Sequence, residues 1–403
     1  DNLGGAYGGI GIYLEGHPDY PRVQEIFPGS PAMEAGLKVG DVIKKVDGVE
    51  IKGWPLTMTV DRIKGQAGTE VVLVVGRGDT DMTFRLRRAN LEIPTIDSRI
   101  IGKNTGYIAV KTFGVKTAEQ FKSHLDQLIS KRVGGLVVDL RDNPGGYMDA
   151  ALEMAEFFLE PGATIVNTRN YDGTTSRYQA DKDVKPVRIP MVVLINSQSA
   201  SSAEILVGAL KDNGVATLVG EKTFGKGTAQ NLIRLKSGGA MKITTTVYTT
   251  PKDRQVNGQG LTPDFEVRTR ELQIPFALGL LEPRTRTVVF TAGQNGVTVD
   301  GERIQSRNAP VSKDGAVYLP LRFTLEALGY IVSWEKESGR ITARRRDETI
   351  IIPAEGNPLV NGIETNSGGG VLMKEGVSYI SPDLLEKVGH TIYRAGESIV
   401  VQG

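Results

Sequence analysis

The sequence predicts a multidomain protein of mixed α/β and α+β class, and three observations carry that expectation. The chain has 403 residues, more than one hydrophobic core ordinarily serves. Its pattern changes twice, from short strands and turns to strands alternating with helices, then back to short strands. The last segment also repeats itself. The resulting expectation is a β-rich module over 1–90, an α/β core over 91–285 and a small repeated α+β domain over 286–403.

The first module is read from β-branched runs such as Val71–Val75, set between turn signals at Pro28-Gly29 and Asp47-Gly48. Gly8-Gly9-Ile10-Gly11-Ile12 is followed by Ser30-Pro31-Ala32, Ala35-Gly36-Leu37 and Gly40-Asp41-Val42-Ile43. This ordered series resembles a PDZ domain. The resemblance implies that a peptide C-terminus adds as a strand, its carboxylate held by main-chain amides around Gly9, Ile10, Gly11 and Ile12. A helix near Val60–Lys64 places Lys64, and next to it Arg62, as cations that could sense that carboxylate.

In the core, Tyr107–Val110, Gly135–Leu140 and Pro190–Ile195 read as buried strands. Thr117–Ser130 carries helical apolar spacing at Phe121, Leu125 and Leu128, and Met148–Leu159 and Ser202–Lys211 read as further helices. The first copy of the C-terminal repeat holds Val299-Asp300-Gly301, Val317-Tyr318-Leu319-Pro320 and Leu328-Gly329. The second holds Val360-Asn361-Gly362, Ser378-Tyr379-Ile380-Ser381 and Val388-Gly389. Two strand–helix–strand units packed as one domain are expected. Their pattern resembles the envelope stalk module named after the N-terminal domain of copper amine oxidases, which implies a spacer or a cell-wall partner. With His390 as its single histidine, the segment offers no metal site.

Composition narrows the chemistry. A net charge of +1 gives no electrostatic reason for nucleic acid as a partner. The absence of cysteine removes thiolate catalysis, disulfides and cysteine-zinc sites. Three histidines, His17, His124 and His390, lie far apart, so a Ser-His-Asp triad is not expected. No apolar run approaches the roughly 20 residues that cross a bilayer. The chain starts at Asp1 without methionine or signal segment, as a processed or trimmed chain would.

The chemistry concentrates in two runs, Asn196-Ser197-Gln198-Ser199-Ala200-Ser201-Ser202-Ala203-Glu204 and Gly220-Glu221-Lys222-Thr223-Phe224-Gly225-Lys226-Gly227-Thr228-Ala229-Gln230. A serine where a buried strand meets a helix lies at a helix N-terminus, which favours developing negative charge. It still needs a base, and a lysine serves when burial keeps its amine neutral. Helix capping competes for the same serines, with Ser199 a candidate for that duty. Gly220 to Lys226 also fits a phosphate loop, but Gly227 stands where magnesium would require Ser or Thr, and Thr228–Leu235 reads as a strand.

Asp139-Leu140-Arg141-Asp142-Asn143-Pro144-Gly145-Gly146, the two runs above and Gln259-Gly260-Leu261-Thr262-Pro263-Asp264 occur in the order seen in the C-terminal processing (tail-specific) peptidases, which this chain resembles. The resemblance implies a cofactor-free serine endopeptidase with a Ser-Lys dyad. Ser201 would be the nucleophile, Lys226 the base and Gln230 the group that orients it, with Gly145 and Ser202 N–H groups forming the oxyanion hole. Ser199-Ala200-Ser201-Ser202-Ala203-Glu204 differs from the common S-A-S-A-S-E pattern by exchanging the small residues after Ser201. The helical segment that usually precedes the PDZ domain is absent from this sequence, which leaves the oligomeric state open. Protein C-termini are the implied substrates, and a secreted, periplasmic or envelope-associated location is expected. The competing reading is a non-catalytic PDZ-stalk scaffold in the cell envelope.

Overall fold

The computed structural model describes all residues except 1–5, 93, 235–239 and 366–369. It divides into two compact units, Asp1–Ile96 with Thr112–Gln120, and Asp97–Lys111 with Phe121–Gly403.

In the first unit five strands run in the order Ile12–Glu15, Arg22–Ile26, Val42–Val46, Glu70–Arg77 and Thr80–Arg87. Ile10, Val23, Ile43, Val46, Leu73 and Val75 form its core. The Asp47-Gly48 signal becomes a tight hairpin turn with φ of 49° and 75°, values that suit aspartate and glycine. Ser30 caps the short helix Pro31–Glu34, accepting the Met33 N–H at 3.3 Å, with Pro31 at the position that needs no amide hydrogen. Asp41, from the Gly-Asp pair of the motif, is buried, accepting the Lys38 N–H at 2.8 Å and pairing with Arg77 at 2.7 Å. The expected helix is Leu56–Ile63, with Lys64 at its C-cap.

The second unit contains a six-stranded sheet in the order Phe265–Glu266, Thr217–Gly220, Met191–Ile195, Gly135–Asp139, Thr105–Val110 and Ile96–Ile101. The first five of these pair in parallel. Gly135–Asp139 and Met191–Ile195 are buried along their whole length, as central strands of a two-sided sheet must be. Thr117–Ser130 is helical as expected, with Phe121, Leu125 and Leu128 buried. Helix Met148–Glu156 stops before Leu159. Phe158 N–H turns back to Ala155 O at 3.0 Å, and Pro161 disfavours helix at the residue before it. Helix Ser202–Asp212 is buried on nearly every side. A second, antiparallel sheet runs Thr175–Gln179, Thr164–Asn170, Ala240–Thr249, Thr228–Arg234. The strand at Thr228–Arg234 lies where a phosphate loop would need a helix.

The repeat is visible in hydrogen bonds. Thr287 N–H donates to Asp300 Oδ1 at 2.9 Å, and Thr349 N–H to Asn361 Oδ1 at 2.8 Å, in matching turns followed by Gly301 and Gly362. Strands Ala316–Pro320 and Val377–Ile380 pair across the two copies, and helices Leu321–Ala327 and Pro382–Lys387 correspond. Tyr330 and His390, each following the glycine that ends its copy's helix, meet at 2.9 Å between hydroxyl and Nε2. One hydrophobic core runs from Tyr107, Val137 and Val219 through Leu272 and Phe276 to Leu325, Tyr330 and Val401. The repeated region therefore shares its interior with the parallel sheet.

Candidate active site

Ser201 and the loop bearing Gly145 follow the carboxyl ends of strands Met191–Ile195 and Gly135–Asp139, where open parallel sheets place their sites. The loop after the second strand is held from below. Arg141 and Asp139 form a buried pair at 2.5 Å, Tyr107 donates to Asp139 at 2.7 Å, and Arg141 also donates to Gln273 at 3.0 Å. Burial, followed by the Asp139 charge, pushes the Tyr107 phenol up to about 12. Above this, Asp142 N–H donates to Asn196 Oδ1 at 2.9 Å, while Asn196 Nδ2 returns a bond to Asp142 at 2.7 Å. Arg270 pairs with the same aspartate at 2.5 Å. These bonds knit the Asp-Leu-Arg motif to the start of the serine-rich run.

Ser201 occupies the N-cap of helix Ser202–Asp212 with φ 58° and ψ −119°. Residues with side chains rarely adopt this region, and it appears where a nucleophile stands on a sharp strand-to-helix turn. The restraint comes from Glu204. This carboxylate is wholly buried and receives four donors: Ser201 N–H at 3.0 Å, Lys226 N–H at 2.8 Å, Gly225 N–H at 2.7 Å and Thr223 Oγ1 at 2.6 Å. One side chain thus ties the backbone of the candidate nucleophile to that of the candidate base.

A second brace comes from Tyr248. Its hydroxyl lies against the carbonyls of Ser201, at 3.1 Å, and of Lys226. Burial, then the nearby Glu204 charge, raise its pKa well above the phenol range, so it remains a proton donor. Sequence pattern gave no hint of Tyr248, which sits on the threonine-rich strand Ala240–Thr249.

The lysine loop is clasped by the Gln-Gly-Leu-Thr-Pro-Asp motif. Thr223 N–H donates to Leu261 O at 3.1 Å, and Leu261 N–H to Thr223 Oγ1 at 2.7 Å. Any side chain at Gly227 would meet Asn257 N at 2.3 Å, so glycine is required by close approach. Ser199 serves as a tie rather than a cap: it accepts Asn196 N–H at 3.0 Å and donates to Leu140 O at 2.7 Å.

The expected oxyanion donors lie together. A Cβ on Gly145, whose φ is +92°, would stand 2.7 Å from Ser201 Cβ and 2.9 Å from Ser202 N. The Gly145 N–H donates to Asn143 Oδ1 at 2.8 Å, while Ser202 Oγ donates to Gly146 O at 2.8 Å. Among the described residues no hydrogen bond joins the Ser201 and Lys226 side chains. Gln230 is exposed and donates to Thr244 Oγ1 at 3.4 Å. Ser201, Ser202, Gly145 and the Lys226 backbone are thus brought together, while Gln230 bonds elsewhere and the dyad itself is unjoined.

In the first unit a groove of about 40 Å³ is lined by Gly9, Ile10, Gly11, Ile12, Val60 and Lys64, among others. Arg62 instead donates to Val46 O at 3.2 Å.

Residues 104–267 match the family profile described as Peptidase family S41. The carboxy-terminal-processing protease of Bartonella bacilliformis is 34% identical over 273 residues, 66% of this chain and 63% of that protein. Residues 104–267 are a peptidase family S41 region. Residues 22–77 match a PDZ domain, and residues 298–402 match the copper amine oxidase N-terminal domain. A probable CtpA-like serine protease of Staphylococcus aureus is 32% identical over 76% of this chain and 63% of its own length. The solved photosystem II D1 C-terminal processing protease is 30% identical, covering 67% of this chain and 74% of that one, with a TM-score of 0.42. The chain spans 63% of the length of these two curated relatives. Its repeated region does not fit copper, since its one histidine is buried with Nε2 spent on the Tyr330 hydroxyl.

Proposed function

We propose that this chain is a serine endopeptidase of the C-terminal processing type. The observation that carries the proposal is the Glu204 carboxylate, which fixes a strained Ser201 and the Lys226 backbone to one point. In this reading the Lys226 amine takes the Ser201 proton and the hydroxyl attacks a peptide carbonyl. The tetrahedral oxyanion is met by N–H groups of Ser202 and Gly145. Protonated Lys226 then donates to the leaving amine, and water releases the acyl-enzyme, with Gln230 turning toward the lysine to orient it. The unjoined dyad and the engagement of the Gly145 N–H by Asn143 fit a resting arrangement. Turnover then requires Lys226 to reach Ser201 and Asn143 to release that amide.

In the same proposal the PDZ groove takes the C-terminus of a substrate protein, and Lys64, which lines it, senses the carboxylate. Arg62, which does not line the groove, is the second candidate. Secretion or retention at the cell envelope, with a wall or envelope partner for the repeated region, belongs to this reading. Among the described residues no helix is long and apolar enough to cross a membrane.

The test is cleavage of an unstructured protein such as casein by the parent chain, Ser201→Ala and Lys226→Ala. Loss in both variants supports the dyad; a Ser201→Ala variant that cuts as fast as the parent rejects it and favours the scaffold. Lys64→Ala is expected to abolish stimulation by added peptide C-termini while leaving basal cleavage in place. Unchanged stimulation removes the sensor role.

A further inference from the structure

A cavity of about 480 Å³ opens in the second unit where the segment leaving the parallel sheet meets the repeated region. None of its lining residues belongs to the site described above. Its volume is in the range of small-ligand pockets, and among the described residues no aspartate or glutamate lines it.

Three arginines do line it. Arg268 pairs with Glu266 at 2.7 Å, and Arg322 is shared between Glu326 at 3.3 Å and Val332 O at 2.6 Å. Arg307 is exposed and makes no ion pair or side-chain hydrogen bond among the described residues. An unpaired guanidinium at a groove without acidic residues suits a carboxylate, which its planar fork can bind through two parallel bonds.

The rest of the lining sets Thr269, Ser306, Asn308 and Ser378 among apolar side chains. Phe323 and Val332 are buried beneath it, whereas Trp334 is 56% exposed and Met373 63% exposed. Large apolar side chains left in water next to such a floor mark a contact surface. The strand beside the groove favours a polypeptide. Val332 and Trp334 belong to strand Ile331–Glu335, which ends its five-stranded sheet, so an extended segment can align along that edge while its side chains enter the groove.

We infer that this groove binds an extended polypeptide segment carrying an acidic residue beside large apolar side chains. It is a peptide site separate from the PDZ groove and has no need of a free C-terminus.

The experiment uses the full chain with Ser201→Ala, so that nothing is cut, and Trp54→Phe, which leaves Trp334 as the single indole. The probe is the peptide Leu-Asp-Phe-Leu, acetylated and amidated to deny the PDZ groove a terminal carboxylate. A saturable change in Trp334 emission is expected. Changing the probe's aspartate to asparagine, or Arg307→Ala in the protein, is expected to weaken binding by about tenfold, the loss of one charge-assisted contact at a partly solvated site. No saturation up to millimolar peptide overturns the inference, as does equal affinity for the asparagine probe. Saturable, Arg307-dependent binding of an anionic glycan fragment in place of the peptide overturns the choice of occupant. None of these readings depends on Ser201 being a nucleophile, so their failure and the failure of the peptidase proposal are separable.

Discussion

Replacing Glu204 with glutamine is a demanding test of how the site is held. The native carboxylate receives two donors on each oxygen: Thr223 Oγ1 and Gly225 N–H on Oε1, Ser201 N–H and Lys226 N–H on Oε2. Glutamine keeps one acceptor oxygen, so whichever way it turns, its NH₂ faces two donors that it cannot satisfy. A hydrogen bond to a charged group contributes about 1.5–3 kcal/mol, so losing two costs about 3–6 kcal/mol. That is a large share of the roughly 5–15 kcal/mol that holds an ordinary domain folded. Two readouts apply: urea unfolding with amide exchange resolved at Ser201–Lys226, and the labelling rate of Ser201 by a fluorophosphonate. The expected result is a lower midpoint, faster exchange in both runs and slower labelling. A Glu204→Gln variant that matches the parent in all three would refute the argument that this carboxylate positions the site.

Tyr248→Phe removes the hydroxyl that braces the Ser201 and Lys226 carbonyls and is expected to cost about 1–3 kcal/mol while lowering kcat more than it raises KM. An unchanged kcat would assign Tyr248 to packing alone. His390 gives a pH prediction. Burial, then the Arg345 charge, lower its pKa from 6.5 to about 4, so the folded state favours the neutral ring. Stability is therefore full above pH 6.5 and is lost as pH falls from 6.5 toward 4, by about 3 kcal/mol. His390→Gln is expected to flatten that limb, and an NMR titration placing His390 near 6.5 would contradict it.

Much of this arrangement was legible because it is local. Helical spacing at Phe121, Leu125 and Leu128 gave the helix Thr117–Ser130, and the paired Val-Asp-Gly and Val-Asn-Gly turns gave the repeat. Ser201 and Lys226 stood out through glycine and small residues around them, which the structure explains by close backbone approach. Glu204 was visible only as a letter in a motif, because its four donors come from two segments and meet only in the fold. Tyr248 lies on a strand whose alternation says which face it takes, not what it meets there. The Asn143 contact to the Gly145 N–H was equally silent, since a two-residue side-chain turn leaves no periodic trace.

The shared interior of the parallel sheet and the repeated region has a calorimetric consequence. Val137 and Val219 from one and Leu325 and Val401 from the other belong to one buried cluster. Heating should melt both in a single endotherm, its enthalpy scaled to their combined length. A truncation before residue 286 would then expose apolar surface and yield a sticky, loosely packed remnant rather than a trimmed enzyme. A chain cut there tests this fold as a damaged whole, and inactivity in such a fragment carries no information about Ser201.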